Sequence, residues 1–208
     1  GKDVLVSTGT GSGKTECFMW PMVSKLSTEA MTSSSSWDER AVRVLIMYPM
    51  NALVADQVGR LRRILGGEQD DLLASWAPGH ESVRRPQFGM YTGRTPYPGD
   101  RRISARDKEY AETLDRDILG ANADDLSKLA ASGRCPEKAD LAVYIDRLRK
   151  GEDPWSEEDA ELLTRFEMRQ HVPDVLVTNY SMLQYMLIRR PEKGIWDATS
   201  AWLRRRPK

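Results

Sequence analysis

The sequence predicts an α/β fold built on a parallel β-sheet. Three observations indicate it. Short apolar runs alternate with amphipathic segments of helical length, a glycine-rich loop joins the first run to the first helix, and a charged segment without an apolar run interrupts the second half. Strands that alternate with helices are typical of parallel sheets with crossover connections. We therefore expect one α/β domain that carries a helical insertion.

Four runs carry the strand pattern, which is an apolar stretch of strand length followed by a turn or helix signal. They are residues 3–7, 42–48, 87–91 and 174–178. Helix patterns follow three of these runs, at residues 14–26, 51–65 and 181–189. The serine-rich residues 28–38 are expected to form a surface loop, because serine clusters between periodic segments favour loops.

The segment 99–171 differs in composition from the rest of the chain. Within it, residues 101–170 hold 13 Lys and Arg against 17 Asp and Glu, so this part is net acidic. Helical patterns occur at residues 105–119, 139–148 and 157–168, and no strand is expected. We predict that 99–171 is a helical insertion between two parts of the α/β domain, 1–98 and 172–208. Its net charge argues against a phosphate-binding role.

Length and composition exclude several classes of protein. The 208 residues carry no formal net charge, so a basic signal for nucleic acid is absent from the chain as a whole. Two cysteines, Cys17 and Cys135, fit no metal-binding spacing and favour reduced thiols in the cytoplasm. No apolar run approaches the roughly 20 residues of a membrane span. The chain opens at Gly1 without a methionine and ends in a basic tail, which we interpret as a truncated domain.

A phosphate-binding loop is the strongest chemical signal. Residues 8–15 read TGTGSGKT between the first strand pattern and the first helix pattern, with Thr8 where the general pattern has glycine. Glycines let several backbone N–H groups point at one anion, and the positive end of a helix dipole adds to this attraction. Lys14 is expected to reach the β and γ phosphates of ATP and Thr15 to bind Mg²⁺, which makes these two the catalytic residues. The residues expected to bind ATP are Gly9, Thr10, Gly11, Ser12, Gly13, Lys14 and Thr15.

Such a loop alone does not separate a helicase from a nucleotide kinase, a GTPase or a transporter ATPase. Three later segments, taken together with the loop, carry a resemblance that separates a helicase from these other classes. Residues 10–15 (TGSGKT) resemble motif I of DEAD/DEAH-box helicases, and residues 49–57 (PMNALVADQ) resemble motif Ia. Residues 91–96 (YTGRTP) and 175–183 (VLVTNYSML) are similar to motifs Ib and Ic and come in the family's order.

The chain therefore resembles the first part of a superfamily 2 helicase, and specifically the large bacterial DEAD/DEAH helicases of genome maintenance and phage-defence operons. The resemblance implies a RecA-like P-loop NTPase domain, ATP with Mg²⁺, a second RecA-like domain in the same protein, and nucleic acid as partner, DNA rather than RNA. It also implies that loops at the carboxyl ends of the strands hold the sugar-phosphate backbone. The expected contact residues are Asn51, Thr92, Arg94, Thr178 and Asn179. Asn51 and Asn179 are also good helix caps.

One expected motif is absent from the 208 residues. DEAD/DEAH motors hold Mg²⁺ and orient water with an Asp-Glu-Ala-Asp/His tetrad, and the acidic residues 157–160 (EEDA) lie in the insertion, ahead of motif Ic. The family order places the tetrad after Trp202, beyond the last residue. We expect the parent protein to be an ATP-dependent helicase and the fragment itself to be inactive. The alternative is a non-catalytic nucleotide- or nucleic-acid-binding module of a split protein.

Overall fold

The computed structural model describes residues 4–7, 9, 13, 15–66, 83–99, 101 and 105–205. Several expected site residues lie outside the described part. They are Thr8, Thr10, Gly11, Ser12 and Lys14.

Four parallel strands form one sheet among the described residues, and three of the four are strands that the sequence predicts. They are β1 (Val44–Tyr48), β2 (Phe88–Tyr91), β3 (Glu161–Leu162) and β4 (Val175–Asn179), and their order across the sheet is β1-β4-β2-β3. The central strand β4 pairs with β1 on one side and β2 on the other, so that Val175 lies opposite both Val44 and Phe88. Because all pairs are parallel, the loops that follow β1, β2 and β4 emerge at one edge.

The helices cover both faces of this sheet. In chain order they are α1 (Glu16–Thr32), α2 (Ser34–Asp38), α3 (Asn51–Leu65), α4 (Ala105–Leu114) with a π-helical turn at Asp115–Leu119, α5 (Ala123–Ala131), α6 (Leu141–Lys150), α7 (Arg165–Gln170), α8 (Tyr180–Ile188) and α9 (Lys193–Arg205). A short 3₁₀ turn, Arg190–Glu192, precedes α9. The α/β class is thus confirmed.

The core has three parts. On one face, Leu26 of α1 and Leu61 of α3 pack with Ile46 and other strand residues. The opposite face buries Leu176 of β4 against residues of α8 and α9. A third cluster lies within the charged segment, where Leu148 of α6 packs with residues of α4 and α7. The insertion therefore has an apolar core of its own.

The first expected strand is not formed among the described residues. Val4 is 82% exposed and Leu5 94% exposed, and residues 4–7 have no strand assignment. A strand is stabilised by backbone hydrogen bonds to a neighbour, and no described strand pairs with these residues. The prediction of a strand from this apolar run is therefore wrong for residues 4–7.

The serine-rich segment is helical rather than a loop. α1 extends to Thr32, and α2 forms from residues that include three of the four serines. Trp37 explains the helical turn, because its side chain is buried and its indole N–H donates to the carbonyl of Arg84 at 2.9 Å. Burial of this indole outweighs the weak preference of serine for loops.

The segment 99–171 contributes a strand, contrary to the expectation that it lies outside the sheet. β3 is parallel to β2, with Glu161 opposite Phe88. The helix expected over 157–168 is present only as α7, because residues 157–160 form a turn before β3. The segment is otherwise mostly helical, as predicted, and adds α5, which the periodicity did not reveal.

Candidate nucleotide- and nucleic-acid-binding edge of the sheet

The loops after β1, β4 and β2 lie side by side at the carboxyl edge, because β4 runs between the other two strands. Asn51 opens α3 after β1, Asn179 ends β4, and Thr92 follows β2. The structure thus brings together the backbone of all three segments that carry expected nucleic-acid contacts. Their side chains differ in burial and in hydrogen-bond partners.

Asn179 and Asn51 form a pair. The amide group of Asn179 donates to Oδ1 of Asn51 at 2.6 Å, and its own oxygen accepts the backbone N–H of Met182 at 2.8 Å. Asn179 is therefore the N-cap of α8, as its sequence position allowed. α3 begins at Asn51 with no side-chain cap. The first backbone N–H groups of α3 therefore suit a phosphate oxygen, which the helix dipole also attracts.

Thr178 and Thr92 are buried, and their hydroxyl groups form hydrogen bonds within the protein. The Thr178 hydroxyl donates to the carbonyl of Tyr91 at 2.6 Å and so links β4 to the end of β2. The Thr92 hydroxyl accepts the backbone N–H of Arg94 at 3.2 Å. Both threonines therefore hold the loop in place. Strand periodicity does not predict these hydrogen bonds, because it carries no information about which hydroxyl bonds to which backbone group.

Three arginines from later in the chain hold the loop at residues 92–99. Arg165 donates to the carbonyl of Thr92 at 2.7 Å. Arg169 donates to Gly99 at 2.7 Å, and Arg189 donates to Pro98 at 3.0 Å. Burial lowers the pKa of Arg165. Sequence reasoning missed these residues, because nothing in the pattern of α7 marks its arginines as partners of a distant loop.

The end of β2 is fixed by a buried polar group. The Tyr91 hydroxyl donates to Oε1 of Glu192 at 2.6 Å, and Arg169 lies 2.9 Å from the same oxygen. Burial and this hydrogen bond raise the pKa of Tyr91 to about 12. The hydroxyl consequently remains protonated and keeps donating at neutral pH. Arg94 differs from the loop-holding arginines, since it is exposed and has no side-chain partner within the described ranges.

The described part of the phosphate loop has the conformation that such a loop needs. Gly13 has φ +76°, a left-handed conformation that side chains other than glycine rarely adopt. α1 begins at Glu16 just after Thr15, and no side chain caps it. The N–H groups of Cys17 and Phe18 donate to the carbonyls of Gly13 and Thr15, and the helix dipole at this end attracts a phosphate group. Glu16 also lies 3.1 Å from Arg60, which ties the start of α1 to α3.

A magnesium ion would find one ligand of the expected kind here, the hydroxyl of Thr15. Within the described ranges no three His, Cys, Asp or Glu side chains cluster to hold a metal ion. The donor set thus fits the P-loop part of a Mg²⁺–ATP site, in which phosphate oxygens supply further ligands. None of the helices in the described part of the chain is long and apolar enough to cross a bilayer.

Comparison with known proteins agrees with this geometry. Residues 1–87 match the DEAD/DEAH box helicase family. This part of the chain is therefore similar to that family. The chain is also 40% identical, over an alignment of 228 residues, to Druantia protein DruE of Escherichia coli (strain UMEA 4076-1). That alignment covers 97% of this chain and reaches far beyond the family match.

The chain corresponds to a small part of this relative, since it spans 12% of the length of DruE. No solved structure matches the chain significantly. The family match includes the phosphate loop and Asn51, whereas the loop at 92–99 and Asn179 lie outside it.

Proposed function

We propose that the chain is the ATP-binding part of an ATP-dependent DNA helicase or translocase. The observation that carries this proposal is the amide pair of Asn51 and Asn179, which joins two loops at the carboxyl edge beside an uncapped helix N-terminus. The match to the DEAD/DEAH family at residues 1–87 supports the nucleotide-binding half of the proposal. The joined loops support the half that concerns nucleic acid.

In the proposed ATP site, the backbone of residues 9–13 and Lys14 bind the phosphates, and Thr15 provides a hydroxyl for Mg²⁺. When bound, the ion neutralises charge that develops on the phosphate oxygens. The role of this chain is to position and hold the phosphates, because loop backbone and helix dipole need no rearrangement during the reaction. Hydrolysis also needs an acidic motif and a second RecA-like domain, which we place in the longer protein.

In the proposed nucleic-acid site, the N-terminus of α3, Asn51 and Arg94 contact the sugar-phosphate backbone. Asn179 orients Asn51 through the 2.6 Å hydrogen bond. Thr92 and Thr178 hold the neighbouring loop from within the protein. Contacts of this kind do not depend on base sequence, as a translocating motor requires.

The test uses the longer protein that contains this chain. Lys14→Ala is expected to abolish ATP hydrolysis stimulated by single-stranded DNA, because the loop lysine pairs with the β and γ phosphates. Lys25→Ala, an exposed lysine on α1, is the matched control and should leave the rate unchanged. Hydrolysis by Lys14→Ala at the wild-type rate would contradict the proposal. A wild-type protein that binds DNA and never hydrolyses ATP would instead support the non-catalytic module.

A further inference from the structure

A basic cavity of about 390 Å³ lies between α3 and the turn that follows α5, apart from the loops of the carboxyl edge. Three arginines line it, namely Arg62 and Arg63 of α3 and Arg134 of the turn. The remaining lining comes from α3, from Met90 of β2 and from the turn itself. Its volume lies in the usual range for small-ligand sites.

Two glycines bring the walls of this cavity together. The turn at Gly133 has φ +67°, and a Cβ added there would lie 2.5 Å from the carbonyl oxygen of Gly59. Arg62 then fastens the turn, since it donates to the carbonyl of Gly133 at 2.9 Å and to both oxygens of Glu161 at 2.7 Å. The position of Arg134 beside α3 is thus fixed by backbone packing.

The charges around the cavity do not cancel. Glu161 neutralises Arg62, and Asp56 lies 3.2 Å from Arg60. Arg63 and Arg134 are exposed, and neither has a carboxylate partner among the residues that the structure describes. Two unpaired guanidinium groups in one concave site raise the local positive potential and attract an anion with several oxygens.

We propose that this cavity binds a backbone phosphate of the same nucleic-acid strand that contacts the carboxyl edge. The inference rests on the proposed function. The lining begins at Ala55, four residues after Asn51, and ends on α3 at Arg63, which places it about 6 to 18 Å along the helix. A strand held at Asn51 therefore reaches Arg63 and Arg134 by following the flank of α3.

The inference assigns a binding role to the insertion, which its net acidic composition argued against. Arg134 belongs to the segment 99–171, and the local arrangement of two arginines outweighs the charge of the segment as a whole. A phosphodiester fits better than a free nucleotide, because the lining residues offer no aromatic surface for a base.

The experiment compares binding of single-stranded DNA at several salt concentrations in the longer protein. Arg63→Gln with Arg134→Gln should weaken binding on every base sequence and make the slope of log K against log salt shallower by about 0.7, the value for one phosphate of a single strand. Lys108→Gln with Lys150→Gln removes two exposed charges from the same segment outside the cavity and is the matched control. Arg63→Lys with Arg134→Lys should restore most of the slope.

A salt slope for the glutamine pair equal to that of the control would overturn the inference, provided that the wild type binds DNA. If the glutamine pair lost affinity for inorganic pyrophosphate but kept the wild-type slope on DNA, the site would serve a free phosphate ligand and the inference would be wrong. A wild-type protein that binds no DNA would overturn the proposed function, and this inference with it. Unchanged thermal unfolding of both glutamine variants shows that the effect is not structural.

Discussion

At the residue scale, the buried carboxylate of Asp174 has hydrogen-bond partners for both of its oxygens. It precedes β4 and accepts two hydrogen bonds from Arg84, at 2.7 and 2.8 Å, and one from Arg43 at 2.9 Å. The backbone N–H of Gln87 donates to it at 2.9 Å. Trp37 lies against both guanidinium groups, at 4.9 Å for Arg43 and 4.4 Å for Arg84. This cluster joins the starts of β1, β2 and β4.

Asp174→Asn is expected to destabilise the chain by about 3–5 kcal/mol, because the buried Arg84 would lose its carboxylate partner and the buried Arg43 would keep only Glu29. Urea unfolding followed by circular dichroism measures the change. Asp197→Asn on α9, where the exposed carboxylate pairs with Lys193, should have little effect, since exposed pairs contribute little. Equal unfolding midpoints for the two variants would mean that Asp174 is not essential to the fold.

At the element scale, buried charge joins the parts of the insertion to one another. The ammonium group of Lys138 is buried between Asp159, at 3.0 Å, and Glu167, at 2.6 Å. Glu167 also forms a capping box with Thr164 at the start of α7. Tyr144 donates to the same carboxylate at 2.9 Å, and burial raises the pKa of that hydroxyl well above its usual value. Loop, strand β3 and two helices thus share one polar centre.

Lys138→Met should destabilise the chain by about 3–5 kcal/mol, because Asp159 and Glu167 would be left buried without a cation. Thermal unfolding provides the measurement. Lys128→Met, on the exposed helix α5, is the control and should shift the midpoint little. A Lys138→Met protein as stable as this control would show that the buried ion pairs do not hold the insertion together.

The same contacts change what we expect from removing the insertion. If the segment were an independent insertion, as its composition predicts, a Gly/Ser linker would replace residues 99–171 without loss of ATP binding. Such a replacement would remove β3, the partner Glu161 of Arg62 and the arginines Arg165 and Arg169 that hold the loop at 92–99. We now expect it to disturb the sheet edge.

At the scale of the whole molecule, a large apolar surface remains uncovered. α8 is mostly apolar, yet Leu187 is 63% exposed and Ile188 82% exposed. Leu45 and Met47 of the edge strand β1 are also exposed. Contiguous exposed apolar surface is typical of interfaces.

The isolated 208-residue chain is therefore expected to self-associate and to bind a hydrophobic dye. Leu187→Ser with Ile188→Ser should reduce both effects, because it removes apolar area from the exposed face of α8. Val143→Ser, at an exposed apolar position on α6, is the control and should change neither. Size-exclusion chromatography and dye fluorescence measure the outcome. A monodisperse wild-type chain without dye binding would contradict the expectation.

The strength of local signals explains how much of the fold was predictable. Apolar runs at 42–48, 87–91 and 174–178 correspond to β1, β2 and β4, and the helical spacing at 51–65 corresponds to α3. Residues 4–7 failed as a strand because pairing depends on a neighbour. The two residues of β3 are too few to give a periodic pattern, and only their pairing with β2 makes them a strand.

The sequence by itself determined the α/β class, the TGSGKT loop before the first helix, and the order of segments that resemble helicase motifs. These features are local, since a few adjacent residues carry each of them. The tertiary structure alone decided that Thr178 holds Tyr91 from a buried position and that Asn179 pairs with Asn51. It also decided that Gly133 packs on Gly59 and so places Arg134 beside Arg63. Such contacts join residues about 70 to 130 positions apart, and local periodicity carries no information about which distant side chains meet.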